Sequence, residues 1–283
     1  MKTVLKITWV LLLFTLPFMA NASTIYLFMV TANETGIGSV TDRQQMKGFI
    51  QQVGTMTGMD VEIKDFLLGD NAIGGEFNNL SPSSDDVVIF YYSGHGGNSG
   101  DGWPMFSANG AAYKSTRVYN RLKNEKQARL TLTIFDCCNH GEGRTTENRV
   151  DATRIGLHTR AKLALLFQKS KGDIRISAAA ATKYAYGNAN IGGYMTASLI
   201  EAITKIDIRT INDQRNIWSK TLELMKTETD EKCRIARRAL QNPTVELSNV
   251  TTNVRGTNNG GSFETEDATA APEDICHNCA DGI

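Results

Sequence analysis

Short apolar runs rich in β-branched and aromatic residues recur along the chain, each bounded by polar or glycine-containing stretches. Val87-Val88-Ile89-Phe90-Tyr91-Tyr92 and Leu130-Thr131-Leu132-Thr133-Ile134-Phe135 are the strongest. Unbroken runs of this length fit strands covered on both faces, as in a parallel sheet. Residues 24–30 read the same way, and 60–66, 173–180 and a short 244–247 add further strands. Between the runs, apolar residues fall at helical spacing. Met46, Phe49, Ile50 and Val53 mark a helix over 41–54, and Met195, Leu199, Ile200 and Ile203 mark one over 193–206. Residues 115–127 and 161–169 also read as helix, and 211–240 as a longer charged one that Asn242-Pro243 stops. Stretches 70–84, 94–110 and 139–158 show no period and read as loops. The alternation predicts an α/β class, with a mostly parallel central sheet and helices on both faces.

The ends depart from this pattern. Lys2 and Lys6 frame the start of an apolar stretch over 7–19, and Ala20-Asn21-Ala22 has the small-x-small form of a cleavage site. Residues 1–22 therefore read as a signal peptide, its apolar part being too short for a membrane span. This predicts a secreted or periplasmic protein beginning near Ser23. From 255 onward Gly, Asn, Thr, Asp and Glu dominate until Cys276-His277-Asn278-Cys279, so 255–283 is expected as a polar tail. The remainder, 23–254, suffices for one α/β domain. Basic and acidic residues balance at 30 each, which gives no footing for nucleic acid or anionic lipid. Expected partners are protein or peptide substrates, with no nucleic acid and, after signal cleavage, no membrane.

Chemistry sits at the ends of the two strongest runs. Ser93-Gly94-His95-Gly96-Gly97 follows the first, and Asp136-Cys137-Cys138-Asn139-His140-Gly141 follows the second. Ligands of open α/β sheets gather beyond the carboxyl ends of strands, so neighbouring strands would deliver an imidazole and a thiol to one edge. That is the minimum equipment of a cysteine hydrolase. The chain has five cysteines, and an odd count in an exported protein implies at least one free thiol or an intermolecular bond.

At these residues the chain resembles the caspase-type cysteine peptidases, and among them the metacaspases and bacterial caspase-like proteins most. Tyr92-Ser93-Gly94-His95-Gly96 matches the family's histidine motif and Asp136-Cys137-Cys138 its Asp-x-Cys motif. Gly192-Gly193-Tyr194-Met195-Thr196 and Gln241-Asn242-Pro243 resemble later landmarks, and the likeness runs over about 24–250. The resemblance implies a caspase-like three-layer sandwich. It implies His95 as general acid/base, Cys138 as nucleophile, and the N–H groups of Gly96 and Cys138 as an oxyanion hole. Asp136, with Ser93 beside it, would line the first specificity pocket, and a buried carboxylate there calls for Arg or Lys. Asn139-His140-Gly141 replaces the family's usual His-Ser-Gly after the nucleophile. No cofactor is called for. Calcium dependence in metacaspases relies on clustered aspartates, and only scattered Asp151 and Asp173 follow the nucleophile here.

Plainer roles stand beside these. Asp136 would serve as a turn cap, Cys137 would face the core because alternate strand residues do, and His140 would be an exposed loop residue. Cys276-x-x-Cys279 reads best as a disulfide, local or to Cys233, since zinc lacks further ligands and a redox role lacks a thioredoxin-like context. Arg144, Arg149, Arg154 and Arg160 form a solvated basic stretch that a basic-specific peptidase would itself cut. The alternative to a peptidase is a caspase-like fold acting as a non-catalytic binding module.

Overall fold

The computed structural model describes residues 23–108, 110–140, 160–211 and 213–254. Residues 1–22, the expected signal peptide, residues 255–283 with Cys276 and Cys279, and Arg144, Arg149, Asp151 and Arg154 lie outside the described residues. The strands are β1 (Thr24–Thr31), β2 (Asp60–Leu67), β3 (Val87–Ser93), β4 (Gly97–Asn98), β5 (Pro104–Ala108), β6 (Ala111–Lys114), β7 (Leu130–Asp136), β8 (Ser170–Ser177), β9 (Gly187–Asn188), β10 (Gly192–Gly193) and β11 (Thr244–Thr252). The α-helices are α1 (Ser39–Thr57), α2 (Ile73–Asn79), α3 (Ser115–Glu125), α4 (Arg160–Leu163), α5 (Tyr194–Lys205) and α6 (Ile217–Ile235).

One six-stranded sheet organises the molecule, in the order β11-β8-β7-β3-β1-β2. All its neighbours are parallel except β11, which runs antiparallel to β8 along one edge. Alternation along the strands feeds two cores. Ile25, Leu27, Met29, Ile89, Tyr91, Leu132 and Ile134 face one side, where Met46 and Phe49 of α1, Leu199 of α5 and Trp218 of α6 meet them. Phe28, Val30, Phe90, Tyr92 and Phe135 face the other, against Phe77 of α2 and Val118 and Leu122 of α3. The result is the three-layer α/β arrangement that the sequence predicts.

The loops hold more order than expected. Residues 73–79 form α2 inside a polar stretch, anchored by Phe77. Within 94–110 and just beyond it, β4, β5 and β6 make a separate antiparallel sheet. Its outer strand is wholly exposed, so no burial pattern marks it in the sequence. β11 extends to Thr252 rather than 247, and the charged helix shrinks to α6. The 161–169 helix is α4 continued by a π-helical turn over Ala164–Gln168.

Candidate active site

Register places the chemistry. Ser93 at the end of β3 pairs with Asp136 at the end of β7, and Thr31 at the end of β1 pairs with Ser93. Three carboxyl ends therefore finish level, and the segments that follow them share one edge. His95 lies two residues past β3 and Cys138 two past β7. Continued alternation sends Cys138 into the α1/α5 core and Cys137 into the α2/α3 core, both buried. Gly96 packs on this turn so closely that a Cβ there would lie 2.5 Å from the Cys138 carbonyl oxygen and 2.6 Å from Cys137 Sγ. Only glycine brings the histidine loop down onto the cysteines. The N–H groups of Gly96 and Cys138 donate no hydrogen bond among the described residues.

Asp42, Ser93, His95, Asp136, Cys138 and Gly193 line one narrow cleft. Its floor holds two buried carboxylates. Asp136 accepts the Thr196 N–H at 2.9 Å and the Thr196 hydroxyl at 2.6 Å, both on Oδ2. Tyr91 OH, 2.7 Å from Thr196 Oγ1, completes that chain. Among the described residues Asp136 Oδ1 accepts no hydrogen bond. Asp42, from the first turn of α1, accepts Ser93 Oγ–H at 2.6 Å on one oxygen and Gly193 N–H at 2.6 Å on the other. Neither carboxylate has a cationic partner among the described residues. Burial pushes Asp136 up to about 6, against the hydrogen bonds from Thr196. Burial, and then the charge of Asp136, hold Asp42 well above the usual carboxylate range. Gly192 and Gly193 make the enclosure: a Cβ on either would collide with the Asp42 or the Asp136 carboxylate, respectively.

The thiol is also enclosed. Asn139 N–H bonds the Lys183 carbonyl at 3.0 Å and Thr182 N–H bonds the Asn139 carbonyl at 2.7 Å, laying residues 182–186 along the cysteine turn. Ala185 then brackets Cys138 Sγ, its N–H at 3.4 Å and its carbonyl at 3.7 Å. Burial pushes the Cys138 thiol up, the Ala185 N–H lowers it, and Asp136 raises it again. His95 is more open, with 58 % of its side chain exposed, and its Nε2 lies 3.0 Å from Glu34 Oε2.

All the sequence-predicted site residues thus reach one sheet edge: His95, Gly96, Cys138, Asp136 and Ser93. Asp136 caps no turn of its own loop but the start of α5. His140 is half-buried and stacks on Tyr184 at 4.3 Å, so it is not the exposed loop residue expected. Cys233 is a fully buried thiol beside Gln241; the tail cysteines, its candidate disulfide partners, lie outside the described residues. Of the two aspartates weighed for calcium, Asp173 instead accepts a hydrogen bond from Thr131. Among the described residues no group of three or more His, Cys, Asp or Glu could hold a metal ion.

Sequence reasoning missed Asp42 and Glu34. Asp42 had a signal: it precedes Met46, Phe49 and Val53 at helical spacing, on the apolar stripe of α1. An acidic side chain on that stripe has to be buried. Glu34, in an exposed loop, had none. A larger cavity of about 190 Å³ lies on the opposite face of the sheet, floored by Phe28, Phe77, Phe90 and Phe106 and without a nucleophile.

The sheet order and the thiol, imidazole and carboxylates at its carboxyl edge define an α/β protein with the groups of a cysteine hydrolase. Residues 28–255 match the caspase domain, and the chain belongs to that family of cysteine peptidases, which act on proteins. Among solved structures it is similar to the crystal structure of caspase-1 from Spodoptera frugiperda, at 12% identity, covering 80% of this chain and 88% of that one, with a TM-score of 0.49. No curated protein matches the sequence.

Proposed function

We propose that this protein is an exported cysteine endopeptidase that cuts after Arg or Lys. The observation that carries this reading is the pair Asp42 and Asp136, buried without a cation at the floor of the cleft that holds Cys138 and His95. Two carboxylates out of water resist ionisation unless a positive charge joins them. A guanidinium or ammonium from the substrate supplies that charge, and the unbonded Oδ1 of Asp136 is free to accept from it.

With the side chain so seated, the carbonyl carbon of that same Arg or Lys comes within reach of the cysteine turn. Cys138 Sγ attacks it as His95 takes the thiol proton. The oxyanion that forms is held by the N–H groups of Gly96 and Cys138. The tetrahedral adduct collapses as His95 returns the proton to the leaving amine and the C–N bond breaks. Water, deprotonated by the same imidazole, then releases the acid and restores the thiol. The scheme uses no cofactor, and undiminished activity in a chelator is expected. Export rests on residues 1–22, and N-terminal sequencing of the secreted protein is expected to begin near Ser23.

One observation favours the non-catalytic alternative: the sulfur of Cys138 is engaged by Ala185 and not by His95. Peptide amides ending in Arg, Lys, Asp and Asn decide the matter. Cleavage after Arg and Lys that vanishes in Cys138→Ala is expected. Cleavage only after Asp overturns the pocket, and cleavage that survives Cys138→Ala overturns the nucleophile. No cleavage together with no alkylation of Cys138 in the folded protein leaves the binding module.

A further inference from the structure

Resting on His95 as the acid/base, we infer that Glu34 is the positioning residue of that histidine. Glu34 Oε2 lies 3.0 Å from Nε2. A carboxylate accepts only, so the ring proton belongs on Nε2 and the basic lone pair on Nδ1. Nδ1 is then the atom that removes the thiol proton, and the imidazolium that results has its charge next to the Glu34 carboxylate. When Nδ1 passes its proton to the leaving amine, the ring returns to the same tautomer without turning.

The loop around Glu34 is held for this purpose. The fully buried Ser39 hydroxyl, at the start of α1, lies 2.8 Å from both the Ala32 and the Glu34 carbonyls, which share its one proton, and accepts from the Glu34 N–H at 3.2 Å. Ala32 N–H bonds the Ser93 carbonyl at 2.8 Å, tying this loop to the end of β3. From the other side, the Tyr92 hydroxyl donates to the His95 carbonyl at 2.6 Å. The backbones of donor and acceptor are therefore anchored independently, and both to the same strand end. The ring and the carboxylate meet without help from the buried core: the side chains are 58 % and 50 % exposed. Substituting Glu34 should leave folding intact.

The test is a cycle of Glu34→Ala, His95→Ala and the double variant, with Glu34→Gln as the conservative change. Two rates are read: turnover of an Arg peptide amide and alkylation of Cys138 by iodoacetamide. A charge-assisted hydrogen bond of this kind predicts a kcat about tenfold lower in Glu34→Ala, with KM unchanged. Glu34→Gln, which keeps an acceptor for Nε2–H, should recover most of the loss. In the His95→Ala background, removing Glu34 should alter the alkylation rate no further. Full turnover in Glu34→Ala overturns the inference while leaving the dyad standing. An equal effect of Glu34→Ala with and without His95 overturns it too, because Glu34 would then act on something else. Wild-type turnover in His95→Ala overturns the dyad itself.

Discussion

Asp136→Asn should make the unliganded protein more stable at neutral and alkaline pH while removing the proposed preference for basic side chains. A free aspartate ionises near 3.8, and burial pushes Asp136 to about 6. Between those values the folded chain keeps a proton that the unfolded chain releases. Stability therefore falls as pH rises through this window and stays low above it. At about 1.4 kcal/mol per unit, the shift corresponds to a loss of about 3 kcal/mol by pH 7.5, an upper figure for one carboxyl. Asparagine carries no such loss, and its carbonyl still accepts both bonds from Thr196. Asp42, raised in part by the charge of Asp136, ionises more easily in the variant and adds to the gain.

Urea unfolding at pH 4 and pH 8 measures this directly. Taking the variant against the wild type at each pH cancels the carboxyls that Asp136 does not affect, such as Asp65 and Glu201, which salt bridges hold below their usual range against the effect of burial. The variant's advantage should grow by up to about 3 kcal/mol from pH 4 to pH 8. Benzamidine should raise the melting temperature of the wild type at pH 8 and leave the variant unmoved. A variant-minus-wild-type difference that is flat with pH would refute the reasoning, since Asp136 would then ionise as it does in water.

Further outcomes follow from the same contacts. The kcat/KM of the wild type on Arg peptides should rise through about pH 6 as Asp136 becomes anionic, and Asp136→Asn should lack that limb of the profile. Gly193→Ala drives a Cβ into the Asp136 carboxylate, which must swing off Thr196; kcat/KM on Arg peptides should fall by about 100-fold or more. Cys137→Ala should cost about 1 kcal/mol in an unfolding titration, for a small cavity in the α2/α3 core, and leave kcat near wild type.

How far the site was legible depends on how its residues reach it. His95, Cys138, Ser93 and Asp136 follow or end apolar strands whose pairing is parallel, so their common edge can be read from sequence once the strands are found. Cys137 and Cys138 are told apart by the Asp-x-Cys motif, and alternation accounts for their facing opposite cores. Asp42 comes from α1, far along the chain from Asp136, and only its place on the apolar stripe betrays it. Glu34 meets His95 because Ser39 and Ser93 tie a loop to the end of β3, contacts that no local pattern encodes. The β4–β6 sheet was hidden for another reason: glycines and an exposed outer strand leave no alternation to see.

The proposed pocket and the proposed nucleophile are contacted by one stretch of backbone. Ala185, which brackets the thiol, stands two residues before β9, and Gly193, which donates to Asp42, ends β10. β9 and β10 pair antiparallel, Gly187 with Gly193 and Asn188 with Gly192. Asn188 Oδ1 closes the turn between them by accepting from the N–H groups of Asn190 and Ile191, at 2.9 and 3.1 Å. A basic side chain seated between the carboxylates would press on Gly193, and a peptide bond presented to the sulfur would press on Ala185. Both displacements fall on the same hairpin. On the proposed reading, occupation of the pocket and release of Cys138 from its bracket would be coupled through residues 185–193. The enclosure whose burial raises the carboxyls and the thiol would then be the part of the fold that a substrate moves.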